Sequence, residues 1–239
     1  MRVLSFSEKG CIRKNNEDSF LVLPEQGLYA VADGMGGHRS GEVASSTALE
    51  ELRKLVPRFV NFEGQALEHE LTEAFVEANR VVYEASTTEP ENAGMGTTLT
   101  VLLVRSKTVV IAHVGDSRAY LWRDEAFTSL TVDHSLVGEL VRLEQISPEE
   151  AEKHPQRHVL MRAVGADREV EVDCGSISLQ NGDVFLLCTD GFSNVISDQE
   201  LAKEFLAPAT WEGRLEKLRK LTLERGAPDN FTALCCILE

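Results

Sequence analysis

The sequence predicts an α+β fold in which an antiparallel β-sandwich is flanked on both sides by pairs of α-helices. Three observations support this fold: apolar, β-branched runs separated by short polar turns, stretches with apolar residues at helical spacing, and the order strands, two helices, strands, two helices, strand. The chain has 239 residues, of which 43% are hydrophobic, enough for a large core. No internal repeat or low-complexity linker interrupts it, so we expect one domain spanning residues 1–239.

The first part of the chain predicts a strand hairpin followed by two helices. Apolar residues over 3–6, 20–23 and 28–32 indicate three short strands, the last two joined by a turn. The apolar spacing becomes helical over 43–55 and again over 67–85. Each helix has one apolar face and therefore needs a partner surface.

The middle of the chain predicts an antiparallel meander and then an insertion. β-branched runs over 97–104 and 108–113, with a further strand over 119–122, enclose a polar turn that contains Asp116. Residues 134–159 are less regular and carry two prolines, so we expect short helices and loops there, and the greatest mobility.

The last part of the chain repeats the alternation of strands and a helix pair. Strands are predicted over 170–178 and 183–188, helices over 199–206 and 211–224, and a closing strand over 231–238.

The composition argues against nucleic acid and membrane as partners. The formal net charge is −15, with 39 acidic and 24 basic residues, whereas proteins that neutralise nucleic-acid phosphates present a basic face. No apolar run is long enough to span a bilayer, and the first residues lack the long apolar segment of a signal peptide. The five cysteines are odd in number and show no CxxC spacing, which favours buried thiols over a zinc site. We expect a cytoplasmic protein.

Carboxylates recur where apolar runs meet turns. If these turns converge at one end of the sandwich, the acids repel one another unless a strong cation offsets them, which implies a divalent metal. Any one of them is equally well explained as an Asx turn or helix N-cap, but the set is harder to explain in that way. The residues concerned are Asp18, Asp33, Asp116, Asp190 and Asp229.

The ligand chemistry favours Mg²⁺ or Mn²⁺ over Zn²⁺, because the acids are accompanied by neither a histidine pair nor a cysteine cluster. Two such ions bridged by one carboxylate could lower the pKa of a water and deliver hydroxide to phosphorus. Arg13 precedes the acidic pair Glu17 and Asp18, and its guanidinium suits phosphate oxygens. Without the other motifs, Arg13 would be read as a surface residue.

Several motifs, in this order, closely resemble those of the metal-dependent protein phosphatases of type 2C. The length and the form of the glycine-rich motif are similar to the bacterial branch, and the resemblance covers essentially the whole chain. The motifs are Arg13, Asn16-Glu17-Asp18, Val31-Ala32-Asp33-Gly34-Met35-Gly36-Gly37-His38, Gly96-Thr97-Thr98, His113-Val114-Gly115-Asp116-Ser117-Arg118, Asp133-His134-Ser135, Leu187-Cys188-Thr189-Asp190-Gly191 and Asp229-Asn230.

The resemblance implies a binuclear Mn²⁺ or Mg²⁺ centre in a cleft at one end of a helix-flanked β-sandwich. In that family pattern Asp33 would bridge the two ions, the carbonyl of Gly34 would bind the second, and Asp190 and Asp229 would complete the first.

Further residues take supporting roles by the same resemblance. Glu17 and Asp18 would act mainly through bound waters, and Asn230 would orient the site. Asp116, with Asp190, matches the position of a third, weaker metal.

Residues 134–165 correspond to the flap beside the active site. Arg157, His158 and Arg162 give this segment basic groups that could contact a phosphorylated substrate, although ordinary solvated side chains explain them as well.

The proton donor to the leaving group is left open. Animal members of the family carry a histidine just after the Asp-Gly pair, where this sequence has Met35. His38, a water on the third metal and bulk solvent are all candidates, and for His38 and His113 structural roles are favoured.

The predicted function is hydrolysis of phosphoserine and phosphothreonine monoesters on proteins by a metal-bridged hydroxide, which reverses Ser/Thr kinases. Partners would be phosphorylated proteins, among them a cognate kinase and its substrates, and we expect a monomer. No cysteine lies in a CxxxxxR loop, which excludes the thiolate mechanism of tyrosine phosphatases. Alternatives are a two-metal phosphodiesterase, disfavoured by the acidic composition, and a catalytically weak module that binds phosphoproteins.

Overall fold

Two antiparallel β-sheets lie face to face and form the centre of the molecule. The computed structural model describes residues 1–36, 40–147, 150–151 and 153–238. Strands joined by short turns dominate both sheets, since β-branched and aromatic residues fit the pleated, buried surface of a sandwich.

The first sheet has five strands and contains both ends of the described chain. Its neighbours all run antiparallel, and the central positions belong to two fully buried strands. In spatial order the strands are β1 (Arg2–Glu8), β11 (Phe231–Ile237), β10 (Val184–Cys188), β7 (Arg118–Arg123) and β8 (Ala126–Ser129).

The second sheet is built from the hairpin and the meander. A two-residue strand, β4 (Gly96–Thr97), pairs with the end of the hairpin's second strand, where the glycine-rich motif begins. The other strands, in spatial order, are β2 (Asp18–Leu23), β3 (Leu28–Met35), β5 (Leu99–Arg105), β6 (Thr108–Val114) and β9 (Asp173–Ser178).

Helices cover both outer faces of the sandwich. The first pair packs its apolar stripe on the second sheet, and the last pair packs on the first sheet. In chain order the helices are α1 (Ser40–Leu55), α2 (Gly64–Thr88), α3 (Leu136–Arg142), α4 (Asp190–Ser193), α5 (Asp198–Leu206) and α6 (Trp211–Glu224), with 3₁₀ turns at Pro24–Gln26, Val56–Asn61 and Pro90–Asn92.

Three layers of apolar side chains hold this arrangement together. Tyr29, Leu102 and Phe185 lie between the two sheets, while α1 and α2 bury a second layer and α5 and α6 a third. The predicted helix-flanked β-sandwich is therefore confirmed. None of the helices in the described ranges is both long and apolar enough to cross a membrane.

The structure differs from the sequence prediction mainly at element ends. Strand β9 begins at Asp173 instead of residue 170, and Thr98 separates β4 from β5. Strand β8 was not predicted, because Ala126–Ser129 is a largely exposed edge strand with no apolar alternation to indicate it.

Candidate active site

Four of the five predicted aspartates, Asp33, Asp116, Asp190 and Asp229, meet in a cleft of about 550 Å³ at one end of the sandwich. Loops and strand ends from both sheets line it, so residues far apart in sequence become neighbours. The residues predicted for the site that line this cleft are Arg13, Glu17, Asp33, Gly34, Asp116, Arg157, His158, Asp190, Asp229 and Asn230.

Asp33 is held rigidly at the end of β3. Its main-chain N–H donates to Thr98 Oγ1 at 2.8 Å, and its carbonyl oxygen accepts from Thr98 N and from Thr97 Oγ1, each at 2.9 Å. The partner of Asp33 across the hairpin is Asp18. The main chain therefore fixes where the Asp33 carboxyl group enters the cleft.

Asp18 lies beneath the cleft as a buried carboxyl group, with one oxygen satisfied and one not. Its Oδ2 accepts from Thr189 Oγ1 at 2.8 Å and from Thr232 Oγ1 at 2.7 Å. Its Oδ1 is buried and has no hydrogen-bond partner among the described residues. Burial raises the pKa of Asp18 to about 7, partly offset by the two threonine hydrogen bonds and reinforced by the charges of Asp190 and Asp229.

The pKa values of Asp33, Asp116 and Asp190 are perturbed in the same direction. Burial, then the charges of neighbouring acids, raises the pKa of Asp33 and that of Asp116 well above their ordinary values. Burial also raises the pKa of Asp190, whose carboxyl group is within hydrogen-bonding reach of Asp33. A proton shared between such acids relieves the repulsion when no cation is present.

This donor set suits a hard divalent cation. The orphan Oδ1 of Asp18 and the repelling carboxyls of Asp33 and Asp190 supply oxygen ligands whose burial only a cation or its bound water would compensate. Within the described part of the chain, no three acidic, histidine or cysteine groups are already gathered closely enough around one point to hold an ion.

The glycine of each Asp-Gly pair permits a close backbone approach. A Cβ added at Gly34 would lie 1.9 Å from the carbonyl oxygen of Gly41, and one added at Gly191 would lie 1.9 Å from that of Asn230. Neither approach leaves room for a side chain, so glycine is required for the loops to converge.

Asn230 joins the last loop of the site to the first. Its Oδ1 accepts from the N–H of Glu17 at 2.9 Å, and its Nδ2 donates to the carbonyl oxygens of Lys9 and Asn15, each at 2.8 Å. This buried amide therefore places the loop that carries Arg13 beside Asp229.

Arg13 lies at the mouth of the cleft. Its Nη2 is 2.6 Å from Asp229 Oδ2, and half of its side chain is exposed. A guanidinium group in this position can exchange part of its contact with Asp229 for the oxygens of an incoming phosphate.

The flap residues separate into two groups. Arg157 and His158 line the cleft together with Leu160. Arg162 is absent from the described lining and instead contacts Asp173 Oδ1 at 2.8 Å and Glu171 Oε2 at 3.3 Å. The structure therefore brings Arg157 and His158, but not Arg162, to the cleft that contains the predicted metal-binding acids.

Structural roles are predicted for His38 and His113, and the structure describes the second of them. His113 is buried with Nδ1 2.9 Å from Thr100 Oγ1, and burial, followed by the charge of His134, lowers its pKa to about 4. It is therefore neutral at physiological pH and lies outside the described lining of the cleft. His38 lies outside the described residues, whereas Met35 lines the cleft.

Some residues of the cleft had no predicted role. Asn194 Nδ2 donates to Asp190 Oδ2 at 3.0 Å, and Thr98 both lines the cleft and holds Asp33. Asn194 follows Asp190 by four positions, a helical spacing that could have indicated the contact. Pro228 and Val195 carry no comparable signal.

Comparisons with known proteins agree with this geometry. A family model described as protein phosphatase 2C matches residues 12–222. The chain is 37% identical over 232 residues to the serine/threonine phosphatase stp of Listeria monocytogenes serotype 4b (strain F2365), covering 95% of this chain and 92% of that protein.

Two solved structures share the fold along the whole chain. The Mycobacterium tuberculosis serine/threonine phosphatase PstP/Ppp is 39% identical with a TM-score of 0.89, covering 100% of this chain and 98% of that one. The catalytic domain of the serine threonine protein phosphatase PstP in complex with two manganese ions is 36% identical with a TM-score of 0.86 and the same coverage.

Proposed function

Because the chain belongs to the protein phosphatase 2C family of metal-dependent serine/threonine phosphatases, we propose that the carboxyl cluster of its cleft is the metal centre of this activity. The protein is a hydrolase that removes phosphate from serine and threonine side chains of phosphoproteins. The convergence of Asp33, Asp116, Asp190 and Asp229 in the cleft supports placing the metal there, as does Asp18, which is paired with Asp33 and has one buried oxygen without a partner among the described residues.

The proposed ligands are divided among two main ions and a third, weaker one, all Mn²⁺ or Mg²⁺. Asp33 would bridge the main pair, with the Gly34 carbonyl on one side and Asp190 and Asp229 on the other. Asp116 and Asp190 would hold the third ion, while Glu17 and Asp18 would act through bound water. Bound cations of this kind supply positive charge to the phosphoryl oxygens and lower the pKa of water.

The chain's own residues bind and orient the substrate. Arg13 would hold phosphoryl oxygens through its guanidinium group, beside Asp229, which it already contacts. Asn230 would keep the Arg13 and Asp229 loops in register, and Arg157 and His158 would contact the peptide from the flap. Among the histidines that the structure describes, His158 lines the cleft and joins His38, a metal-bound water and solvent as a candidate proton donor.

The proposal extends to the compartment, the oligomeric state and the substrates of the enzyme. All five cysteines are free, including the adjacent Cys235 and Cys236, which suits the reducing cytoplasm. We propose that the chain, residues 1–239 with a flap at about 134–165, acts as one monomeric catalytic domain. Its substrates would be a cognate Ser/Thr kinase and the proteins that this kinase modifies.

Hydrolysis of a phosphothreonine peptide and of p-nitrophenyl phosphate, each measured in EDTA and then with added Mn²⁺, tests the metal assignment. We expect EDTA to abolish both reactions and Mn²⁺ to restore them. Full activity in EDTA would contradict the assignment. Faster turnover of bis(p-nitrophenyl) phosphate than of the monoester would instead favour a phosphodiesterase.

Replacing Arg13 by alanine is expected to raise the KM for a phosphopeptide by about ten- to a hundredfold, because a charge-assisted hydrogen bond to phosphate is lost. The change in kcat should be smaller. Lys14→Ala, on the exposed neighbouring residue, is the matched control and should leave KM unchanged. An unaltered KM in Arg13→Ala would remove Arg13 from the phosphate site.

Reversing the charge of Arg157 with Arg157→Glu should weaken turnover of phosphopeptides about tenfold while sparing p-nitrophenyl phosphate, which is too small to need the flap. Lys153→Glu makes the same charge change at an exposed flap residue outside the described cleft lining and should affect neither substrate. Equal losses on both substrates in Arg157→Glu would indicate a damaged site and not a peptide contact.

A further inference from the structure

A buried amide outside the cleft is bonded entirely to one stretch of main chain. Asn79 lies in the middle of α2 and is 1% exposed. Its Nδ2 donates to the carbonyl oxygens of Asp167 at 3.1 Å and Arg168 at 3.2 Å, and its Oδ1 accepts from the N–H of Gly165 at 2.7 Å. Asn79 thus uses its amide to hold residues 164–168, which we call the flap return segment.

The flap return segment runs directly against α2. Gly165 has a φ of +85°, a conformation that favours glycine, and a Cβ added there would lie 2.2 Å from Cγ1 of Val82. Val82 is fully buried one helical turn after Asn79. The segment therefore has one close-packed position on the helix, and Asn79 supplies the polar contacts that fix it there.

The same segment is paired with the strand that supports Asp33. Val164 and Thr97 exchange two main-chain hydrogen bonds, of 2.8 and 2.9 Å, and both residues are fully buried. Thr97 Oγ1 then donates to the carbonyl oxygen of Asp33 at 2.9 Å. Asn79 is thus connected through Val164 and Thr97 to the main chain of Asp33.

The segment also ends the part of the flap that faces the cleft. Leu160, which lines the cleft, is bridged to Ser135, and the N–H of Met161 donates to the carbonyl oxygen of His134 at 2.7 Å. Val164 follows three residues later. The wall of the cleft formed by the flap and the wall formed by β3 therefore share one attachment to α2.

We propose that Asn79 is a positioning residue: it fixes the positions of the flap and of β3, the two walls of the cleft, although it lies outside the described cleft lining. Loss of its hydrogen bonds would loosen the flap return segment and, through Thr97, the support of Asp33. The link to metal binding rests on the proposed function, which assigns Asp33 to the ions. The link to the flap return segment stands on the hydrogen bonds alone.

A buried amide that merely stabilises the fold would behave differently. Its removal would lower stability throughout the molecule and leave the folded protein's metal affinity and local dynamics unchanged. The two roles are therefore separated by measurements on the folded protein, with amide hydrogen exchange as the first readout.

Three variants give the test. Asn79→Ala removes all three hydrogen bonds, whereas Asn79→Asp keeps an acceptor for the Gly165 N–H and loses the two donors. Ser86→Ala is the control, since Ser86 is a buried polar residue of the same helix whose hydroxyl, among the residues that the structure describes, donates only to the Tyr83 carbonyl oxygen. If Asn79→Ala does not fold, Asn79→Asp decides the outcome.

We expect amides of residues 160–168 to exchange at least about tenfold faster in the Asn79 variants, because losing a single buried hydrogen bond has an effect of about this size and these variants lose two or three. Mn²⁺ binding measured by calorimetry should weaken several-fold, and the KM for phosphopeptide should rise more than that for p-nitrophenyl phosphate. Ser86→Ala should match the wild type in all three measurements.

Wild-type exchange at residues 160–168 together with wild-type Mn²⁺ affinity in a folded Asn79 variant would overturn the proposal. So would equal changes in Ser86→Ala. Failure of the proposed function is a separate result, because the wild-type protein itself would then bind no Mn²⁺.

Discussion

Replacing Asp33 by asparagine is expected to lower kcat at saturating Mn²⁺ by about 10³-fold or more, because losing the proposed bridging carboxylate would remove several kcal/mol of charge stabilisation. The amide keeps the size of the side chain, and the hydrogen bonds between the main chain of residue 33 and the hydroxyl groups of Thr97 and Thr98 should hold the residue in place. Steady-state turnover of p-nitrophenyl phosphate and calorimetric titration with Mn²⁺ are the measurements.

The same substitution should not harm the fold in the absence of metal. Burial and neighbouring acids raise the pKa of Asp33, so its carboxylate destabilises the metal-free protein at neutral pH. Thermal unfolding in EDTA should therefore give a Tm at least as high as that of the wild type. Asp124→Asn, the same change at an exposed turn, is the control for activity. A variant at Asp33 that retained more than about a tenth of wild-type kcat would rule out the bridging role.

The metal-free protein should become less stable as the pH rises from about 5.5 to 7.5. This is the opposite of the usual behaviour of salt-bridged acids. The folded-state pKa of Asp18 is raised to about 7 from an ordinary value of 3.8, and those of Asp33, Asp116 and Asp190 are also raised. The folded state then binds protons more tightly than the unfolded state. The stability due to these protons is present at low pH and is lost as the pH rises through the folded-state values.

We expect this loss to amount to a few kcal/mol, or roughly 5–10 °C in Tm for a chain of this size. Added Mn²⁺ should raise the Tm at pH 7.5 by a similar amount, since about 2.7 kcal/mol follows when a ligand is present at 100 times its Kd. Differential scanning calorimetry in EDTA and in Mn²⁺, at constant high salt to screen the net charge, checks both expectations.

Asp33→Asn is again informative, because removing one crowded carboxyl should flatten the pH dependence in EDTA. A wild-type Tm that rose with pH in EDTA, or that did not change on addition of Mn²⁺ at pH 7.5, would contradict a metal site built from these acids.

The sequence was sufficient for the family, the activity and the order of the elements. Apolar spacing is a local property, so α1, α2 and most strands could be placed from their own residues. Their ends were less certain, because the terminal turns of a helix and the exposed strand β8 bury little apolar surface. Motif order along the whole chain identified a protein phosphatase of type 2C, as the comparisons confirm.

Contacts between distant segments could not be read from the sequence. Arg157 and Arg162 are similar basic residues of one flap, yet the first lines the cleft and the second pairs with Asp173. Asn79 looks like an ordinary polar residue in an amphipathic helix, and only the fold reveals that it holds Gly165.

The sequence by itself determined which residues are acidic, which segments form most of the strands and helices, and where glycine allows tight turns. Only the tertiary structure decided that Asp18 is buried between Thr189 and Thr232 and that its second oxygen has no partner in the described part of the chain. The physical reason is that periodicity encodes which face of an element is buried but not which partner buries it. The pKa of a carboxyl group and its suitability for a metal depend on that partner.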